Sequence, residues 1–531
     1  MAMMPAKFLR TAFNTLAVLS FVLLSVLHAG QVRAATLVIG LAADVSSLDP
    51  HFLNVASNVA MSSHFFDTLV TTDADGKLIP ALAESWRTLS PTVWEFKLRK
   101  DVKFQDGSPL TADDVVFSLE RPATILNSPG PFTPYVKQIV SRQIMDAHTL
   151  RLTTAQPYGP LLLDLSSIFI VSKKAAQGKT TEDFNTGRAL IGTGPFRFVK
   201  FQRGERIEAV RNEYYWGPRP VWDKVTFRIL TAEPARLAAL LSGQVDLIEG
   251  APPADLPRLR KDARFRLEQR PSWRTLFLQL DHARDASPDI TDNNGKPLGR
   301  NPLKDLRVRR ALSKAIQRQA LTERTLEGLG IPAANLVAPG ILGHNDNLRP
   351  EAYDPEGARR LLAEAGWPNG FGLTLHGPNN RYINDDQILQ TIAQFFSRIG
   401  IKTRVETLPL SVYFGRLRNA DFSIGLLGWG SLAGDVAAKT LVGTPDPAIG
   451  WGSWNWGRYS NPRVDGLIRD ALATTDPSRR RRLAQAADTA ALEDLAMIPL
   501  HHEIATWAMR RNLRYPPRID EFTFAWQVRP E

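Results

Sequence analysis

Four short strings in this 531-residue chain carry side chains of the types that do chemistry. His501-His502-Glu503 sets two imidazoles beside a carboxylate, as a zinc site would, but the residue that would complete HExxH from His502 is Thr506. A strand after Pro499, with one imidazole facing inward and one outward, accounts for the pair without a metal. Gly178-Lys179-Thr180 ends like a phosphate-binding loop, yet Lys173 stands where that loop needs its first glycine. Gly328-Leu329-Gly330 resembles the start of a dinucleotide fingerprint. It follows a helical stretch rather than a strand, and Pro332 is misplaced for it, so a helix-ending turn is expected. Asp113-Asp114 would make an acid pair, but a capping role already explains it. With no GxSxG elbow and no cysteine, an enzyme is poorly supported; no catalytic residue, metal or cofactor is expected.

The elements that must position any site alternate between strand and helix. Trp94, Phe96 and Leu98 alternate with Glu95 and Lys97, the period of a half-buried strand, and Val102 and Phe104 continue it. Asp106-Gly107 then supplies a turn. Thr111 with Asp114 forms a capping box, and Leu110 and Val115 a hydrophobic staple, so a helix starts there. Residues 36–42 read as an apolar strand followed by the loop ADVSSLDP, a common kind of place for a ligand. Further on, 236–241, Gly243 and 245–248 read as helix, glycine stop and strand. Val308, Ala311, Leu312, Ala315 and Ile316 share one helical face. Asp354-Pro355 opens a helix that Gly366 ends, and the helix before Gly400 leads into the strand IKTRVETL.

Lys7 and Arg10 precede the apolar run 16–27, which is too short to span a bilayer comfortably, and Val32-Arg33-Ala34 fits a cleavage site. Residues 1–34 are therefore expected to be a signal peptide; a retained anchor is the alternative. The absence of cysteine excludes disulfides and a lipid-modified cysteine, so a soluble product in a bacterial periplasm is expected. Removing 1–34 leaves 62 basic against 54 acidic residues, net +8. The tight basic cluster 479–482 follows the helix-opening pair Asp476-Pro477 and reads as a solvated helix face, so no nucleic acid is expected. The length calls for two or three cores.

The strings PALAESW, WEFKLRKDVKFQDGSPLTADDVVFSLER, IGTGPF and RNEYYWG closely resemble the extracellular solute-binding proteins of family 5, the oligopeptide, dipeptide and nickel receptors of ABC importers. The resemblance runs from about Leu37 to near the C-terminus and implies an α/β, two-lobe binding protein with an extra domain inserted in the first lobe. Carried onto this chain, lobe I comprises 35–77, 186–273 and 498–531, the inserted domain 78–185, and lobe II 274–497. The implied function is a periplasmic receptor, expected to be a monomer, that delivers a peptide-like solute to permease subunits powered by separate ATPases.

The resemblance also directs attention to three segments. In the loop 43–50, Ser46 and Ser47 are the polar candidates, with turn formation as the competing explanation. In PNNRYINDD (378–386), Arg381 matches an arginine that meets the ligand carboxylate in dipeptide receptors, with Tyr382 beside it; a salt bridge to Asp385 or Asp386 competes. In GLLGWGSLAGDVAAKTL (425–441), relatives carry an amine-neutralising aspartate three residues after the tryptophan, and this chain has Leu432 there. Asp435 is the candidate replacement, and Trp429 a stacking surface or a core residue. Of Trp451, Trp454 and Trp456, at most one is expected to touch solute, and Trp454 is retained as a site candidate. Without the aspartate an opine, glycoside or metal chelate competes with a peptide. Outside the receptor class stand a secreted hydrolase on the same scaffold and a periplasmic holdase.

Overall fold

The computed structural model describes residues 35–531; the signal segment and cleavage site expected within 1–34 lie outside the described residues. A twelve-stranded sheet built from both ends of the chain organises the molecule. Thr36–Leu41 buries Leu37 and Ile39 and lies parallel to Lys224–Ile229 on one side and Leu247–Glu249 on the other. Parallel neighbours require a crossover, which the helix Glu233–Leu241 supplies; Gly243, at φ +75°, stops it where expected. Arg206–Arg211 and Phe196–Gln202 extend this half with antiparallel pairing.

The other half holds Gly372–Pro378, parallel to both Lys402–Leu408 and Ile424–Gly430. Helices Leu306–Ala315, Pro355–Glu364 and Asp385–Ser397 pack their apolar faces on it, including Val308, Ala311, Leu312 and Ala315. Asp354 accepts the N–H of Gly357 at 2.7 Å, and Gly366 and Gly400 take φ of +86° and +87° at the helix ends. Two long strands join the halves. Phe265–Leu280 and Met497–Arg510 run antiparallel, beside Leu247–Glu249 at one end and Ile424–Gly430 at the other. Their register breaks between Pro271 and Thr275. The α/β, two-lobe architecture is the one expected.

A separate four-stranded antiparallel sheet, Ala83–Ser90, Val93–Leu98, Thr149–Thr154 and Ile139–Asp146, carries the helix Ala112–Glu120 on Phe96, Leu150 and Leu152. Gly107 turns the chain at φ +85°, and the Asp114 carboxylate accepts the Thr111 N–H at 3.0 Å, as the capping box requires. After the second crossing strand the chain returns to the first lobe. Trp222 Nε1 donates to the Val528 carbonyl at 2.8 Å, and the Ala525 N–H donates to His64 Nε2 at 3.1 Å.

Three local expectations are corrected. Glu95, expected on a solvent face, is buried because Arg87 and Arg151 reach its carboxylate at 2.6 and 2.8 Å. The basic run 479–482 is not wholly solvated, since Arg480 turns inward to Asp435. His501 and His502 do point to opposite sides of their strand, but both are buried, because a central strand of this sheet is covered on both faces.

Candidate functional site

The crossing strands and the loop before Asp385–Ser397 converge at the junction of the lobes. Arg274, just past the register break, holds Glu521 of the C-terminal return through two hydrogen bonds of 3.1 and 2.5 Å. Burial opposes that guanidinium's charge, and the Glu521 carboxylate more than offsets it, so its pKa is raised. Asp385 fixes the neighbouring loop, accepting the backbone N–H groups of Arg381 and Tyr382 at 2.9 and 3.1 Å. Burial still pushes its carboxyl up to about 6. The Tyr382 hydroxyl accepts the Gly428 N–H at 2.9 Å. Glycine is required there, because a Cβ at 428 would fall 2.7 Å from the tyrosine ring.

Arg381 is thereby presented without an internal counterion. Its guanidinium lies 5.3 Å from the Tyr382 ring centroid, and among the described residues no carboxylate comes within 4 Å of it. The competing salt bridge to Asp385 or Asp386 is not formed; Asp385 is committed to backbone. Burial, and then the like charge of Arg274, lower the Arg381 pKa. Glu503, on the second crossing strand, is the nearby acid. Burial and the Glu521 charge push its carboxyl up to about 7 against the pull of Arg274 and Arg381, and its Oε2 is buried without a hydrogen bond.

The remaining candidates are engaged in other ways, although Trp429 lies on the strand between Gly428, bonded to Tyr382, and Gly430, paired with Arg274. Ser47 is buried, donating to Asn185 Oδ1 at 3.1 Å and accepting the Asp49 N–H at 3.1 Å; Ser46 is tied to Asn58 through its N–H and hydroxyl. Both serines make the hydrogen bonds of a turn, Ser47 buried and Ser46 exposed. Asp435 is fully buried and grips Arg480 at 2.6 and 3.0 Å, so it cannot take over the missing aspartate's role without breaking that pair. Leu432 packs against the C-terminal return and the first lobe: a Cβ at Gly76 would meet its Cδ2 at 2.6 Å and Ile519 at 3.2 Å. Trp429 and Trp454 lie 5.1 Å apart by ring centroids, and Trp454 also contacts Phe414 and Trp456 edge-on. The Trp429 indole N–H is buried without a partner among the described residues.

Arg274, Glu503 and Glu521 are the charges that sequence reasoning missed. Glu503 was visible only as part of the HHE string, read there for metal. Among the described residues no group of three metal-ligating side chains forms. His501 and His502 are both driven down to about 3 by burial, so they are neutral imidazoles. No helix among the described residues is long and apolar enough to cross a membrane.

Comparison with known proteins accords with this geometry. The family described as bacterial extracellular solute-binding proteins, family 5 middle, matches residues 77–440. The heme-binding protein A of Haemophilus influenzae is 28% identical over 457 residues, covering 80% of this chain and 79% of that one. The dipeptide-binding protein of Escherichia coli is 27% identical over 464 residues, with 82% and 83% covered. The periplasmic binding protein DppA of Helicobacter pylori, solved with the peptide STSA, superimposes with a TM-score of 0.80 at 25% identity, over 93% of this chain and 98% of that one.

Proposed function

Because the chain belongs to the family 5 bacterial extracellular solute-binding proteins, we propose that it is the periplasmic receptor of an ABC importer, closing two lobes over a peptide-like solute. On this reading 78–185 is the inserted domain, and lobe I is completed by 186–273 and 498–531. The observation that carries it is Arg381: a partly buried guanidinium at the lobe junction, with a fixed backbone and no carboxylate of its own within 4 Å. A solute carboxylate supplies that counterion through paired hydrogen bonds. No chemistry is performed; the solute shifts the population from open to closed lobes through contacts available only in the closed state. Delivery to the permease and its ATPases follows from the same reading.

Leu432 favours a second reading. Its packing on Gly76 and Ile519 fills the ground where relatives of the resembled kind hold an aspartate, which suits an opine, glycoside or metal chelate. Native mass spectrometry of the exported protein, followed by denaturation to identify the retained solute, separates the two. A di- or tripeptide supports the first; a solute without a carboxylate removes Arg381 from its role. Hydrolysis of the solute by purified protein would overturn the receptor reading altogether.

A further inference from the structure

Glu503 lies opposite the place where the two crossing strands lose register. The residues paired across the strands jump from Pro271 with Ile504 to Thr275 with His502, so no residue of the first crossing strand is registered against Glu503. Its other side pairs with Gly330, which has no side chain. The charges that act on its carboxylate are Glu521, Arg274, Arg381 and Asp385, which sets it at the junction, and among the described residues Oε2 is buried with no hydrogen-bond donor. A buried carboxylate oxygen left without a donor is costly, and a native structure that keeps one calls for an explanation.

The charged groups around it are already assigned. Arg274 is held by Glu521, and Asp385 by backbone N–H groups; Arg381 lies beyond ion-pair distance, since no contact between it and Glu503 falls within 4 Å. Among the described residues, Arg381 is thus a cation and Glu503 an acid at the junction with no ion-pair partner, separated from each other by more than a salt bridge. Asp435 cannot serve as the acid, being locked to Arg480, and Leu432 has no charge to offer.

We propose that Glu503 binds the protonated amine of the solute from the crossing strand, so that Arg381 and Glu503 together select a zwitterionic peptide with a free amino group. This rests on the receptor reading and narrows its solute class. The partial neutralisation of Glu503 by burial is consistent with a carboxylate that gains a cation only when solute arrives.

The test offers the purified, unfolded-and-refolded receptor an equimolar mixture of dipeptides and the same mixture with acetylated amino groups, at pH 7.5, with retention read by native mass spectrometry. Wild type is expected to retain free-amine dipeptides at least about tenfold over their acetylated counterparts, a difference of about 1.4 kcal/mol. In Glu503→Gln, checked for folding by its melting curve, that preference should shrink to within about twofold. Equal retention of both mixtures by wild type overturns the role of Glu503 while leaving a peptide receptor standing, and needs no variant. A preference that survives in Glu503→Gln does the same. Retention of neither mixture overturns the peptide-like solute itself, and this inference with it.

Discussion

Asp435 and Glu503 are both carboxylates withdrawn from water, and they differ in what answers them. Asp435, at the start of the helix Gly434–Leu441, is gripped by Arg480 from the helix Pro477–Glu493, and its charge is matched within the chain. Glu503, on the strand that joins the lobes, has an oxygen without a hydrogen-bond partner among the described residues, and Arg381 nearby has no described carboxylate within 4 Å. The internal pair holds helices together. On the proposed reading, the unmatched pair is where a solute completes the charge balance. Leu432, where the resemblance would place an aspartate, lies only three residues from Asp435, so proximity in sequence is a poor guide to which acid is available.

Breaking the matched pair is expected to have the largest effect. Asp435→Ala leaves Arg480 buried and unpaired, and should lower the unfolding free energy by about 3–5 kcal/mol in denaturant titrations. A loss within about 1 kcal/mol would mean that Arg480 reaches water and that the two sites differ less than described.

Asp488, on the same helix as Arg480, is an intermediate case: Oδ1 accepts the Leu336 N–H at 3.0 Å, and Oδ2 has no partner among the described residues. Burial pushes its carboxyl from 3.8 up to about 8. A folded pKa raised above the unfolded one gives stability that is complete below the unfolded value and is lost as pH rises through the folded one. Between pH 4 and 8, wild type should therefore lose several kcal/mol relative to Asp488→Asn, read from melting curves across that range. Parallel curves for the two proteins would place Asp488 among the matched charges.

Arg381→Ala tests the unmatched side. It should weaken binding of a carboxylate solute by about 2 kcal/mol or more in calorimetry, while the solute-free melting temperature stays unchanged. A large loss of solute-free stability with intact affinity would make Arg381 a structural residue after all. The smallest effect is expected at Trp429, whose buried indole N–H has no acceptor. Trp429→Phe removes that donor and should change stability by no more than about 1 kcal/mol, the lost packing being offset by the relieved polar group.

Legibility in the sequence followed the range of the interactions. The turn at Gly107, the Thr111–Asp114 box and the glycine stops at 243, 366 and 400 are local, and each stands in the structure where its residues place it. The lobes and the family were legible because several such signals recur at the right spacing. Charge partnership was not. Asp435 and Arg480 are 45 residues apart and Arg274 and Glu521 are 247 apart, so nothing near either member announces the other. His501 and His502 failed for a related reason: alternation along a strand gives the two directions, but only the sheet's place in the fold says that both are covered.

The return of the C-terminal segment to the first lobe governs when that lobe can be finished. His64, near the start of the described chain, receives a hydrogen bond from Ala525, 461 residues later, and Leu247–Glu249 has its outer neighbour in Met497–Arg510. A chain that emerges from its N-terminus must hold the first lobe incomplete until almost all of it has been made. Contacts this distant in sequence form late and slowly, which leaves apolar strands such as Thr36–Leu41 without a full set of neighbours throughout. The other half shares that wait in part, because Gly330–Pro332 and Leu276–Gln279 take their neighbours from the same late strand Met497–Arg510.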